Sequence, residues 1–155
     1  MDRFQRRAAA VLSEPPRTVG PTTTRKVTTV EYVPLPAEVY DAPLPLDAYR
    51  QAPPVDDEAA AIEHLMDTTE WRENREYWLR RAALSDRRAL VATVDSLLQG
   101  EAQSDAWLLR EFDDTKGTSA GKHPPFADEW HSAGGSRPYV RQEYVAWLAH
   151  RGQHR

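Results

Sequence analysis

Proline and tryptophan occupy different parts of this 155-residue chain, and that partition limits its architecture more than any other feature. Nine of the twelve prolines lie between Pro15 and Pro54, whereas Trp71, Trp78, Trp107, Trp130 and Trp147 all follow. Proline removes a backbone donor and fixes φ, so the first part cannot build long helices; tryptophan brings the largest apolar surface, so the second part holds the core. The expected fold is mainly α: a small orthogonal helical bundle over residues 57–152, preceded by an extended proline-rich arm over residues 1–56 with at most one or two short strands.

Within the bundle, Asp56 is a candidate cap for a helix through Met66, with Ile62, Leu65 and Met66 on one face. Asp67 with Glu70 predicts a new start and a second helix over residues 68–84, with Trp71 and Trp78 on one side and Arg72, Glu73, Arg75, Glu76 and Arg80 as a solvated mixed-charge face. Ser85 is the next candidate cap. Leu90, Val91, Val94, Leu97 and Leu98 then repeat at helical spacing until Gly100, the clearest amphipathic pattern in the chain. Ser104 predicts a shorter helix through Phe112 with Trp107, Leu108 and Phe112 inward. The last helix is expected from Pro138 to Gly152, presenting Val140, Tyr144, Trp147 and Leu148.

The arm carries its own signals. Residues 26–33 are β-branched and aromatic and predict one strand, including Tyr32, that must pair elsewhere or strap the helices. A tandem match follows nine residues apart: Pro34-Leu35-Pro36-Ala37-Glu38-Val39-Tyr40 and Pro43-Leu44-Pro45-Leu46-Asp47-Ala48-Tyr49. Alternating proline favours polyproline II, which presents leucine and tyrosine at little entropic cost, so Tyr32, Leu35, Tyr40, Leu44 and Tyr49 are the candidate partner-binding anchors. The same segment has two other uses, a strap on its own helices and an inert linker.

Signals for chemistry are weaker. Residues 117–122 contain the glycines and lysine of a phosphate-binding loop, but the run is one residue short, ends in His123 and follows no strand, so a surface loop is expected. His123, Asp128, Glu129 and His131 lie close together with Phe126 and Trp130; an enzyme or metal site would be sought there, but an ordered loop that plugs both aromatics into the core is the plainer expectation. His150 and His154 are separated by Gly152, which breaks the helix that would align them. Asp105, Glu111, Asp113 and Asp114 around Arg110 argue against a DNA-reading helix at residues 104–112. Arg3, Arg6 and Arg7 at one end and Arg137, Arg141, Arg151 and Arg155 at the other make the better nucleic-acid candidate. The first twelve residues, with Phe4, Val11 and Leu12, are a short basic amphipathic segment or a frayed terminus.

A net charge of -4 does not make nucleic acid the default partner, the absence of cysteine excludes disulfides and thiolate chemistry, and no apolar run is long enough for a membrane span. No cofactor or metal is expected, and the location expected by default is cytoplasmic. The function these features favour is non-enzymatic: an interaction or assembly protein whose arm docks on another protein or on a second copy of itself, with a small regulatory nucleic-acid binder and an enzyme centred on His123 and His131 as the alternatives.

Overall fold

In a computed structural model of the protein, five helices assemble from the tryptophan-bearing part of the chain and the segment just before it: α1 (Pro45–Ala48), α2 (Val55–Met66), α3 (Arg75–Val91), α4 (Ser96–Lys116) and α5 (Arg137–Gln153). Two 3₁₀ turns, Trp71–Glu73 and Asp128–His131, join them. The structure describes residues 41–92, 96–131 and 135–153, and there is no strand among the described residues. All of them belong to one compact unit, Val33–Arg155. The expected strand at residues 26–33, the basic first twelve residues and the first motif copy at residues 34–40 lie outside the described residues. The mainly helical bundle is as expected.

Several boundaries differ from the sequence expectation, each for a local physical reason. Asp67 closes α2, its amide donating to the carbonyls of His64 and Leu65, so no helix starts there. The true cap is Asn74, whose side-chain oxygen accepts from the Glu76 amide at 2.9 Å. Trp71 therefore sits in the preceding turn and meets α3 edge-on, 4.6 Å from the Tyr77 ring, while Trp78 Nε1 donates to the Arg72 carbonyl at 2.8 Å. Ser85 does not start a helix; it lies within α3, and its hydroxyl donates to Asp105 on α4 at 2.6 Å. Gly100 and Ser104 lie inside α4 rather than between helices. A glycine there costs about 1 kcal/mol of helix propensity, which the packing of a 21-residue helix along α3 outweighs. At its far end α4 runs past the expected end at Phe112 to Lys116 and closes on a glycine cap: Gly117 adopts φ +63°, and the Thr118 amide reaches back to the Asp113 carbonyl at 3.1 Å.

The core is made of small and aromatic side chains. Leu79, Ala82 and Ala83 from α3 meet Ala106 and Leu109 from α4 and Tyr139, Val140 and Tyr144 from α5, closed at one end by Trp130. Trp130 is 1% exposed and its indole donates to the Pro124 carbonyl at 2.8 Å, so this half of the loop plugs the core as expected. Phe126 does not: it remains 40% exposed and stacks on the Arg110 guanidinium. The expected apolar stripe of Leu90 to Leu98 is also not the buried one, since Val91 and Leu97 are largely exposed. Trp107, expected inward, is 48% exposed, because the buried stripe of α4 is Ala102, Asp105, Ala106, Leu109, Arg110 and Asp113.

Candidate functional site

The second motif copy sits on the protein's own helices. Leu44 keeps an extended backbone, φ -61° and ψ 150°, but Pro45 begins α1 instead of continuing as polyproline II: the Leu44 carbonyl accepts the amides of Asp47 and Ala48 at 3.0 and 2.9 Å. One helical turn puts Ala48 inward, 1% exposed, and leaves Leu44 and Leu46 at the surface. Tyr49 follows, edge-on to Tyr144 at 5.4 Å, and its hydroxyl donates to Asp86 Oδ2 at 2.8 Å. Tyr32, Leu35 and Tyr40 lie outside the described residues.

Asp86 is fully buried and binds more than Tyr49. Arg141 donates to it through Nε and Nη2 at 2.8 and 3.1 Å, and Arg137 Nε completes the set. Arg137 also reaches Gln99 Oε1 at 2.6 Å. Two of the arginines considered for nucleic acid are thus turned inward as counter-ions of a buried carboxylate. Arg151 has a different role: it is about half exposed, pairs with Glu76 at 3.3 Å and lies over the Trp147 ring. Arg3, Arg6, Arg7 and Arg155 lie outside the described residues.

A second buried network joins α3, α4, α5 and the loop after α4. Arg75 forks onto Asp113 at 2.6 and 2.9 Å and reaches Glu143 Oε2 at 2.6 Å. Thr118 and Tyr139 hydroxyls donate to Asp113 at 2.6 and 2.7 Å. Residues 117–122, which have glycines and a lysine like a phosphate loop, wrap a carboxylate: Ser119 Oγ and the amides of Ala120 and Gly121 donate to Glu143 at 2.9, 2.8 and 2.9 Å. Gly121 is required by close approach, since a Cβ there would overlap the Gln142 side chain. The loop is an anion cradle whose anion is Glu143 of the same chain.

A third cluster joins Glu58 of α2, Glu76, Arg80 and Arg87 of α3 and Tyr144 of α5. Glu58, fully buried, accepts from Arg80 Nε at 2.7 Å, and Arg80 Nη1 also reaches Glu76 at 3.1 Å. Glu58 Oε2, Arg87 Nη1 and the Tyr144 hydroxyl are buried without a hydrogen-bond partner among the described residues. Burial first, and then the Glu58 charge, push the Tyr144 phenol up to about 12. Burial and the adjoining Asp86 carboxylate push Tyr49 well above its ordinary value, and burial with Glu143 does the same to Tyr139.

These phenols set an alkaline limit on stability. Each has a folded pKa above its unfolded value of about 10, so the stabilisation is fully present below pH 10 and is lost as pH rises towards the folded value. Each phenol then removes about 1.4 kcal/mol per pH unit. Thermal melts across neutral to alkaline pH should show a Tm that is level up to about pH 10 and falls steeply above it. A level profile through pH 11.5 would show that these tyrosines ionise as easily folded as unfolded.

The histidine loop is also tied down. His123 Nε2 lies 2.9 Å from Asp41 and Nδ1 3.2 Å from Glu129, so both ring nitrogens face carboxylates. Lys122 also binds Asp41, and hydrogen bonds from Lys122 and then His123 hold the Asp41 carboxyl below its ordinary value. His131 is exposed, 3.7 Å from Asp128. Among the described residues no group of three or more histidine or acidic side chains is placed to hold a metal ion, and no described helix is long and apolar enough to cross a membrane.

Asp86 and Glu143 were not singled out by sequence reasoning, and Asp113 was read only as one of the acids around Arg110, because each counts as a surface charge in composition. A signal was there: Asp86 continues the stripe of Leu79, Ala82 and Ala83, and Glu143 lies between Val140 and Tyr144 on α5. A charge in phase with core positions is buried and must be paired. The arrangement is one of saturated carboxylates that fix helices, a loop and the Tyr49 segment to one another. Comparison with protein-family models, with characterised proteins and with solved structures finds no match to this chain.

Proposed function

We propose that the protein is a non-enzymatic interaction and assembly module: a rigid helical body that carries a Pro-Leu-Pro-x-acid-x-Tyr arm into grooves of another protein or of a second copy. The observation that supports this reading is the seat of Tyr49. The second motif copy meets a helical surface by placing its tyrosine hydroxyl on a buried carboxylate flanked by guanidinium groups, which is a docking contact made within one chain. The first copy has the same Leu35, acid and Tyr40 spacing and is free of any requirement to fill that seat, because Tyr49 fills it.

The two copies then have separable roles. Tyr49→Phe removes a hydrogen bond to a charged group and should cost about 2 kcal/mol, a fall in Tm of roughly 5–10 °C for a fold of this size. Deletion of residues 34–40 should leave Tm within a degree or two of the parent while abolishing association. Equal loss of Tm in both variants would make the first copy a second strap and remove this reading.

A further inference from the structure

Alone among the described histidines, His123 has a carboxylate at each ring nitrogen: Nε2 lies 2.9 Å from Asp41 Oδ2 and Nδ1 3.2 Å from Glu129 Oε1. A neutral imidazole has one N–H and one lone pair, so it donates to one of the two and turns its lone pair on the other; the imidazolium donates to both. Both contacts are therefore complete only in the charged form. The ring has little room to escape the conflict. Its backbone is fixed to α5 by a reciprocal pair with Gln142, the His123 amide donating to Oε1 at 2.9 Å and Gln142 Nε2 donating to the His123 carbonyl at 2.8 Å. Buried Trp130 stands edge-on to the ring at 5.8 Å, and the His123 side chain is 16% exposed.

Among the described residues, three charged groups surround it. Asp41 comes from the segment before α1, Glu129 from the second 3₁₀ turn, and Lys122 from the same loop, where its ammonium binds Asp41. The α5 residue that meets His123 is the neutral Gln142. Lys122 and then His123 hold the Asp41 carboxyl below its ordinary value, so it stays ionised over the range in which a histidine changes charge, about pH 5–8. Over that range the carboxylate is constant and the imidazole is the variable.

Asp41 is poised to leave. Its backbone has φ +48°, a left-handed conformation that a residue with a side chain keeps only where its surroundings hold it. The hold consists of Lys122 and His123 on a carboxylate that is 52% exposed. An exposed ammonium–carboxylate pair contributes little by itself, so the His123 contact decides whether the strain is kept. Beyond Asp41, Ala42 and Pro43 are half-buried, Leu44 and Leu46 are exposed, and firm anchorage resumes at Ala48 and Tyr49.

We infer that His123 is a proton-operated latch on the root of the proline-rich arm: its imidazolium ties Asp41 to Glu129 and α5, and loss of the proton frees the segment from Asp41 to Leu44. The closed state holds one more proton than the open one, so the latch is closed on the acidic side and opens as pH rises. Ala48 and Tyr49 hold α1 in both states, so the opening is local. It adds about four residues of free tether, roughly 13 Å of extended chain. The latch concerns how the arm is held and not what it binds, so it stands apart from the docking reading.

The chain has no cysteine, so Leu44→Cys, at an exposed side chain, gives a single attachment point for a nitroxide spin label on the full protein. Electron paramagnetic resonance then reads the mobility of the segment. The ratio of immobile to mobile label should fall about fivefold between about pH 5.5 and about pH 8.5. His123→Gln and Asp41→Asn should each give a mobile label at both ends of that range. Asp41 is half exposed, so its variant keeps the fold and carries the test even where His123→Gln lowers Tm. Lys122→Gln leaves Asp41 to His123 alone and should enlarge the response. A spectrum unchanged across the range in the parent overturns the latch. So does a response that persists in His123→Gln or Asp41→Asn, which assigns it to another group, and so does a label mobile at both ends in Lys122→Gln, which makes the lysine the hold.

Discussion

Asp86→Ala should destabilise the protein by about 3–5 kcal/mol, because it removes the one carboxylate shared by Arg137, Arg141 and the Tyr49 hydroxyl. The loss is larger than that of a surface ion pair for a solvation reason. Arg137 and Arg141 side chains are only 16% and 14% exposed, so neither recovers full hydration when its partner disappears. Denaturant unfolding measures it directly. Asp86→Asn should lie between parent and alanine, since an amide keeps one acceptor oxygen but turns an NH₂ towards a guanidinium. The same substitution should free the Tyr49 segment, so protease cleavage within residues 41–54 should accelerate while α3 to α5 stay resistant. A loss below about 1 kcal/mol would mean that the two arginines reach water easily, and the network would then be ornament to the apolar core. Replacing Asp86, Arg137 and Arg141 together with apolar residues should recover much of the loss, because a buried ionic cluster is costly to break but not costly to replace.

Glu143→Ala should be comparably severe, again about 3–5 kcal/mol, and should carry a distinctive rescue. Its carboxylate takes donors from Arg75, Ser119, Gln142 and the amides of Ala120 and Gly121, so its removal leaves two backbone N–H groups and a hydroxyl without their acceptor, beside an Arg75 guanidinium that keeps only Asp113. The loop of residues 117–122 should loosen, visible as faster amide exchange there. Sulfate or phosphate at tens of millimolar should raise the Tm of the variant and not of the parent, since a tetrahedral anion satisfies the same convergent donors. Chloride at equal ionic strength is the control, because screening alone weakens rather than restores a buried charge contact. Equal Tm in sulfate and chloride would show that the cradle collapses without Glu143 instead of persisting as a preformed anion site.

Much of the architecture was legible from residue types. The mainly helical character of the tryptophan-bearing part, the helix from Val55 to Met66, the final helix and the burial of Trp130 follow from propensity, end signals and apolar period, which act over a few residues. The continuation of α3 through Ser85 to Val91 and the passage of α4 through Gly100 were not legible. Ser85 has the chemistry of a cap, but Asp105, twenty residues away, takes its hydroxyl.

The linear chain therefore determined which segments become helical and where the apolar mass lies, because those depend on local sterics and on side-chain hydrophobicity. Only the tertiary structure decided which charges are interior. Asp86, Asp113 and Glu143 are ordinary acids until Arg137, Arg141 and Arg75 arrive from other helices to offset their desolvation, and Tyr49 is an arm residue until Asp86 is there to receive it. A buried ion needs partners distant in sequence, so its place is a property of the assembled fold.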